Sequence, residues 1–124
     1  MKIAALMARI LLGLVFVVFG ANGFLNFIPM PNMPPSTATT FLTILMTTHY
    51  ALIVSGFQLI GGALLLVNKF VPLGLTLLGP VIVNIFLYHA LMDPKGLPLA
   101  MIVAVLWALE FWHHKKAFAG ILSA

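Results

Sequence analysis

Hydrophobic residues in this chain form four long runs that few polar residues interrupt. A helix rises ~1.5 Å per residue, so about 20 apolar residues cross the ~30 Å hydrocarbon layer of a membrane. The runs predict four helices of about this length, over residues 3–27, 51–67, 71–92 and 97–112. We therefore expect one all-α domain over residues 1–124, an integral membrane four-helix bundle.

The longest predicted connection, residues 29–50, carries no formal charge. Prolines fill its first part, where they end the first helix. Ser36, a good helix-capping residue, then precedes an apolar stretch that includes Phe41 and Met46. Two interpretations follow: the connection either contains a short interfacial or re-entrant helix on the outer side of the membrane, or it is a simple loop there.

The basic residues predict an orientation. If four helices alternate across the membrane, Lys95 lies on one side near Asp93, and all other basic residues lie on the opposite side. The positive-inside rule then places both termini in the cytoplasm. We expect a multi-pass protein of the bacterial cytoplasmic membrane. The start of the chain is similar to a secretory signal, but no convincing cleavage site follows, so we expect a retained helix.

The composition narrows the function classes. Hydrophobic residues make up 63% of the chain, charged residues make up 6%, and cysteine is absent. Disulfides, thiol redox chemistry and thiolate metal sites within this chain are therefore excluded. The net charge of +4 is spread over the ends of the apolar runs and forms no basic stripe, so we expect no nucleic-acid partner. The expected partners are the lipid bilayer and either a membrane protein or a second copy of this chain.

Two charged residues interrupt the apolar runs at a similar depth. Arg9 lies near the start of the first run, and Glu110 lies near the end of the last. An unpaired charge there would cost ~2.5–3.5 kcal/mol, so we predict a structural ion pair between Arg9 and Glu110. The alternative is that both side chains extend to the lipid headgroups.

Two amides lie nearer the middle of the membrane. Gln58 shares a helix face with Ser55 and Gly62, where small residues and an interhelical hydrogen bond would favour close packing. The same face would instead leave room for a ligand that Gln58 contacts. Asn84 follows Pro80 by one turn. It either repairs backbone hydrogen bonding around the proline or borders a pocket opened by a proline kink.

Further polar residues are expected at the outer end. His89 and Asp93 have the i, i+4 spacing of a metal ligand or a carboxylate-oriented imidazole, and the same pair would also cap a helix end. No second strong metal motif accompanies them, so we expect no metal site. The candidate ligand-binding residues are Gln58, Asn84, Tyr88, His89, Asn22 and Asn26.

Several segments in order resemble the DoxX-like family of small bacterial membrane proteins. They include Gly20-Ala-Asn-Gly-Phe-Leu-Asn-Phe27, the proline-rich loop after it, and residues 9–16, 55–66 and 80–89. The resemblance covers almost the whole chain and implies a four-helix membrane bundle with its polar positions lining the interior. It also implies a link to membrane redox systems, including quinone-coupled ones. Many members have an acidic residue where this chain has Gln58.

Enzyme motifs are missing from the sequence, including a nucleotide-binding glycine-rich loop, a paired-carboxylate constellation and a serine nucleophile elbow. Whether the protein is an enzyme therefore stays open. Our first hypothesis is a non-enzymatic subunit or assembly factor of a membrane complex. The alternative is a redox component that binds a quinone-like or other apolar ligand inside the bundle. A small-solute transporter is weaker, because four helices rarely enclose a path alone.

Overall fold

The computed structural model describes residues 2–30 and 32–123, and every regular element within them is helical. The α-helices are α1 (Lys2–Leu25), α2 (Thr37–Thr47), α3 (Tyr50–Val67), α4 (Val71–Leu91) and α5 (Leu97–His113). Short 3₁₀ segments precede and follow α5, at Pro94–Gly96 and Lys115–Leu122.

Four of these helical segments are long and apolar enough to cross a membrane: α1, α3, α4, and α5 together with the 3₁₀ turn before it. The predicted all-α class and its four candidate spans are thus confirmed, and the spans indicate a multi-pass membrane protein. The helix ends lie within two residues of the predicted bounds.

The four long helices pack in a ring. α1 and α4 each contact both α3 and α5, which gives the spatial order α1, α3, α4, α5. Between them lies a core of fully buried apolar side chains, among them Leu12, Phe16, Leu65, Leu75 and Leu78. Because successive helices alternate in direction, one end of the bundle holds Lys2 and His113; we call it the terminal end. The opposite end, where α2 lies, is the α2 end.

Glycines line the α1–α3 interface of the ring. A Cβ atom added at Gly20 would lie 2.6 Å from the backbone nitrogen of Leu59. One added at Gly62 would lie 2.8 Å from the backbone nitrogen of Val17. Such contacts let two helix backbones approach closely without the hydrophobic effect, which is weak between helices in lipid.

The connection between the first two spans contains α2. Ser36 begins α2 with a capping box: its hydroxyl accepts from the Thr39 N–H at 3.3 Å, and the Thr39 hydroxyl accepts from the Ser36 N–H at 2.8 Å. Of the two interpretations of this segment, the short helix is therefore confirmed. α2 packs on α3, and its Phe41 ring lies 5.9 Å from the Tyr88 ring of α4.

Candidate functional site

A cavity of about 700 Å³ lies between α2, α3 and α4, toward the α2 end of the bundle. Its walls are largely apolar and include Phe41, Leu45, Val54, Phe57 and Ile85. Both its size and its composition are typical of small-molecule sites, in which a few polar groups fix the orientation of an apolar ligand. We call it the α2 cavity.

Four of the six ligand-binding candidates line the α2 cavity: Gln58, Asn84, Tyr88 and His89. Gln58 comes from α3, whereas the other three come from one stretch of α4. Asn84 and Tyr88 are four residues apart, so they lie on the same side of that helix, one turn from each other. Helical spacing thus places Asn84 and Tyr88 together, and the packing of α3 on α4 brings Gln58 to the same cavity.

Tyr88 presents an unsatisfied hydroxyl. The Tyr88 oxygen is buried and has no hydrogen-bond partner within the described part of the chain. Its ring packs between the Phe41 ring of α2 and the His89 ring, the latter in an edge-to-face contact with centroids 5.0 Å apart. Because buried polar groups are almost always hydrogen-bonded, this hydroxyl is an unused hydrogen-bonding group beside the cavity.

His89 is held in one tautomer by the main chain. Its Nδ1 lies 3.1 Å from the carbonyl oxygen of Asp93, and a carbonyl can only accept, so Nδ1 carries the proton. In the neutral ring Nε2 is then an acceptor. The carboxylate-oriented imidazole is therefore not formed: the Asp93 backbone carbonyl orients the ring, and the Asp93 carboxylate does not.

Gly96 lies against the His89 ring, and sequence reasoning did not identify it as a site residue. A Cβ atom at Gly96 would lie 2.1 Å from Cε1 of His89, so no larger residue fits unless the ring moves. The close approach arises because the 3₁₀ turn Pro94–Gly96 folds back over the end of α4. An available signal was the Asp93-Pro94-Lys95-Gly96 sequence, which is typical of a tight turn.

Asn84 bonds to its own helix. Its Nδ2 donates to the carbonyl oxygen of Pro80 at 2.8 Å. This supports the backbone one turn away, although the carbonyl that Pro80 itself leaves without a donor is that of Thr76. Since Asn84 also lines the cavity, and its Oδ1 accepts no hydrogen bond from the described residues, the two interpretations of Asn84 are compatible.

Gln58 is partly buried beside the α2 cavity, and its amide makes no hydrogen bond with the residues that the structure describes. The interhelical bond expected from the packing interpretation is thus not formed. The close packing of α3 on α1 is made by neighbouring small residues, Ser55 and Gly62, which face Gly23 and Gly13.

Asn22 and Asn26 do not line the α2 cavity. The Asn22 Oδ1 accepts from the Ile28 N–H at 2.7 Å, and the Asn26 N–H donates to the Asn22 carbonyl at 2.8 Å. Asn26 has a left-handed φ of 52°. The last turn of a helix has unpaired carbonyls and often ends at such a residue, so both asparagines terminate α1.

The expected ion pair between Arg9 and Glu110 is not formed in the part of the chain that the structure describes. Arg9 Nη1 instead donates to the carbonyl oxygens of Leu65 and Leu66 in the last turn of α3. The Leu65 carbonyl also accepts from the Asn68 N–H at 3.2 Å. Both carbonyls belong to the negative end of the helix dipole, which attracts a cation.

Glu110 pairs with the first residue after α5. Its Oε1 lies 3.1 Å from Nε2 of His114, four residues later. Because Glu110 is only 1% exposed, it does not extend to the headgroups either. Both alternatives in the sequence analysis are therefore wrong for this residue, although Glu110 and Arg9 do border one small cavity at the terminal end.

Fold and site together define a class: a small helical membrane protein with an apolar cavity that carries a few hydrogen-bonding groups. Within the described residues, no group of three or more His, Cys, Asp or Glu side chains is placed to hold a metal ion. Comparison with known protein families, with curated proteins and with solved structures finds no match to this chain.

Proposed function

We propose that the α2 cavity binds an apolar molecule that carries hydrogen-bonding oxygens, and that this ligand is quinone-like. One observation carries the proposal: Tyr88, whose buried hydroxyl has no partner among the described residues, lines a largely apolar cavity of about 700 Å³. The ring of such a ligand would pack on the Phe41 and Phe57 side chains, and its oxygens would meet the polar groups of α3 and α4.

The polar groups suit either redox state of a quinone. An oxidised quinone has carbonyl oxygens that need donors, which the Tyr88 hydroxyl and the Gln58 amide supply. A reduced quinol has hydroxyls that need acceptors, and the Nε2 of His89 and the Gln58 oxygen supply those. This chain would then bind and orient the ligand. The ligand would supply the redox chemistry, and a partner protein would supply or remove its electrons.

The proposed location is the cytoplasmic membrane of a bacterium, with both termini in the cytoplasm and the α2 cavity in the outer half of the bilayer. Charge distribution supports this orientation, because Lys2, Lys69 and the lysines after α5 lie toward the terminal end, whereas Lys95 lies at the α2 end. Membership of the DoxX-like family stays a prediction from the sequence.

The first hypothesis, a non-enzymatic subunit or assembly factor, remains the competing one. No contact of the described residues favours it, whereas the cavity favours ligand binding. The two are separated by purifying the protein in mild detergent and analysing the lipid extract by mass spectrometry. Ligand binding predicts a stoichiometric apolar compound with ring oxygens. Its absence, together with a stoichiometric partner protein, would favour the subunit hypothesis.

A pair of variants makes the test specific to the site. Tyr88→Phe removes one hydroxyl from the cavity and should lower ligand retention about tenfold, as expected for a buried hydrogen bond worth ~1.4 kcal/mol. Thr76→Val removes a hydroxyl from the same helix that bonds only to the Pro72 carbonyl, outside the cavity, and should leave retention unchanged. Equal retention in both variants would refute the role of Tyr88.

A further inference from the structure

A second, smaller cavity lies at the terminal end, at the opposite end of the bundle from the α2 cavity. It has a volume of about 280 Å³, and polar residues dominate its lining: Lys2, Arg9, Asn68, Glu110, His113 and His114. We call it the terminal cavity. Nothing in the proposed function of the α2 cavity uses these residues.

The Glu110 carboxylate is only half satisfied. His114 occupies Oε1, whereas Oε2 is buried and has no partner in the described part of the chain. An ionised carboxylate has acceptor sites on both oxygens, and burying one is costly unless it is paired and hydrogen-bonded. Glu110 therefore needs a second donor.

The neighbouring basic residues, Arg9 and Lys2, have N–H groups that lack an acceptor among the described residues. Arg9 uses one nitrogen on the α3 carbonyls, which holds it away from Glu110, and its remaining N–H groups have no acceptor within the described residues. The Lys2 ammonium likewise has none there. A bound anion would satisfy Arg9 and Lys2 but would repel Glu110. A simple cation would satisfy Glu110 but would be repelled by the two basic residues.

We propose that the terminal cavity binds a zwitterion in which a short linker joins a phosphate ester to a primary ammonium, as in the headgroup of phosphatidylethanolamine. The ammonium donates to Glu110, and the phosphate accepts from Lys2 and Arg9. The last torsion of a glutamate side chain is broad, so a small rotation turns Oε2 toward the cavity.

The position of the terminal cavity fits a lipid headgroup. It lies where α1 begins and α5 ends, and therefore at the depth where headgroups meet water. Next to it, the Lys115 ammonium lies 3.9 Å from the centre of the Trp112 ring. Tryptophan and lysine at a helix end are typical of the membrane interface.

Native mass spectrometry of the delipidated full chain tests the proposal with three lipids of equal chain length. Phosphatidylcholine keeps the charge pattern but its quaternary ammonium has no N–H, and phosphatidylglycerol keeps the phosphate but has no ammonium. We expect phosphatidylethanolamine to be retained about tenfold better than either, the contribution of one hydrogen bond to a charged group. Equal retention of the three lipids, or a preference for phosphatidylglycerol, would overturn the proposal.

Variants assign the effect to the cavity. Glu110→Gln should abolish the preference over phosphatidylglycerol, and Lys2→Gln should lower the retention of phosphatidylethanolamine. Lys69→Gln removes a cation of the same end that does not line the cavity, so it should change neither. If Glu110→Gln fails to fold, as judged by its helical circular dichroism, the exposed Lys2 variant decides. Unchanged retention in Lys2→Gln would then overturn the proposal.

Soluble O-phosphoethanolamine identifies the source of the ligand. If it displaces the bound lipid at millimolar concentration, the cavity recognises the zwitterionic group alone and also accepts a soluble molecule. If it does not, the acyl chains are required and the ligand is a lipid. Both results presuppose the selectivity over phosphatidylcholine and phosphatidylglycerol, without which the proposal fails.

Discussion

The two ends of the bundle use polar side chains in different ways. At the α2 end, neutral groups such as Gln58 and Tyr88 border a large apolar cavity and lack protein partners among the described residues. At the terminal end, charged groups border a small cavity, and Arg9 and Glu110 each have at least one protein partner. A buried neutral group that lacks a hydrogen-bond partner costs less free energy than a buried charge that lacks one. This explains why Arg9 and Glu110 each have a protein partner.

α3 connects the two ends, and its glycines show how tightly each part is packed. Gly62→Ala, toward the terminal end, would force the Cβ against the α1 backbone, so we expect a loss of about 1–3 kcal/mol of stability. Gly56→Ala is the matched control on the same helix. No atom lies within 4 Å of its added Cβ, so this change should be neutral or stabilising by up to ~1 kcal/mol.

Unfolding of both variants by denaturant in the same detergent, followed by circular dichroism, measures the difference. Equal stability of the Gly62 and Gly56 variants would mean that α1 and α3 are not in backbone contact, and that the core of the ring is wrongly placed.

Arg9 is the next test, because it distinguishes the terminal end from the α2 end. Arg9→Leu removes the side-chain donor of the Leu66 carbonyl and leaves the Leu65 carbonyl with the Asn68 N–H alone, and we expect a loss of about 1–3 kcal/mol. Arg9→Lys keeps one donor and the charge and should lose less. Because the α2 cavity lies at the other end, ligand retention there should not change once both proteins are folded.

The readout is unfolding by denaturant together with the lipid extract of each variant. A parallel fall in α2-cavity retention would contradict the separation of the two ends.

The positions of the helices could be predicted from the sequence. The four spans were predicted to within two residues because a span is fixed by the length of its own apolar run. The position of Asn84 and Tyr88 on one side of α4 follows from their four-residue spacing. Both depend only on local order along the chain.

The hydrogen-bonding partners of the charged residues could not be predicted in the same way. Arg9 and Glu110 share a depth, which suggested a pair, but the α3 carbonyls that bind Arg9 become neighbours only when α1 packs on α3. The Glu110–His114 contact is different, because its i, i+4 spacing was visible in the sequence. The sequence likewise did not show that Asn22 and Asn26 lie at the end of α1, away from the α2 cavity.

Gly96→Ala tests the α2 end without altering any polar group. The added methyl group must displace the His89 ring, and we expect ligand retention to fall several-fold, equivalent to ~1 kcal/mol. Global stability should change little, since Gly96 has a φ of −89° that alanine readily adopts. Gly120→Ala, in the 3₁₀ segment of the terminal end, has open space around its added Cβ and is the control.

The lipid extract again gives the retention of each variant, and the nitrogen chemical shifts of His89 report the movement of the ring directly. Unchanged shifts together with unchanged retention would show that the turn before α5 does not press on His89.

The smallest expected effect concerns Asn84, which both supports its own helix and lines the α2 cavity. Asn84→Leu removes the hydrogen bond to the Pro80 carbonyl, which already accepts within the helix, so the stability of ligand-free protein should fall by less than ~1 kcal/mol. The ligand-bound protein should lose more, because the free Oδ1 would no longer accept from a ligand. Measuring unfolding with and without ligand separates the two contributions. If both forms lose the same amount, Asn84 only supports its helix, and the hydrogen-bonding groups of the α2 cavity reduce to Gln58, Tyr88 and His89.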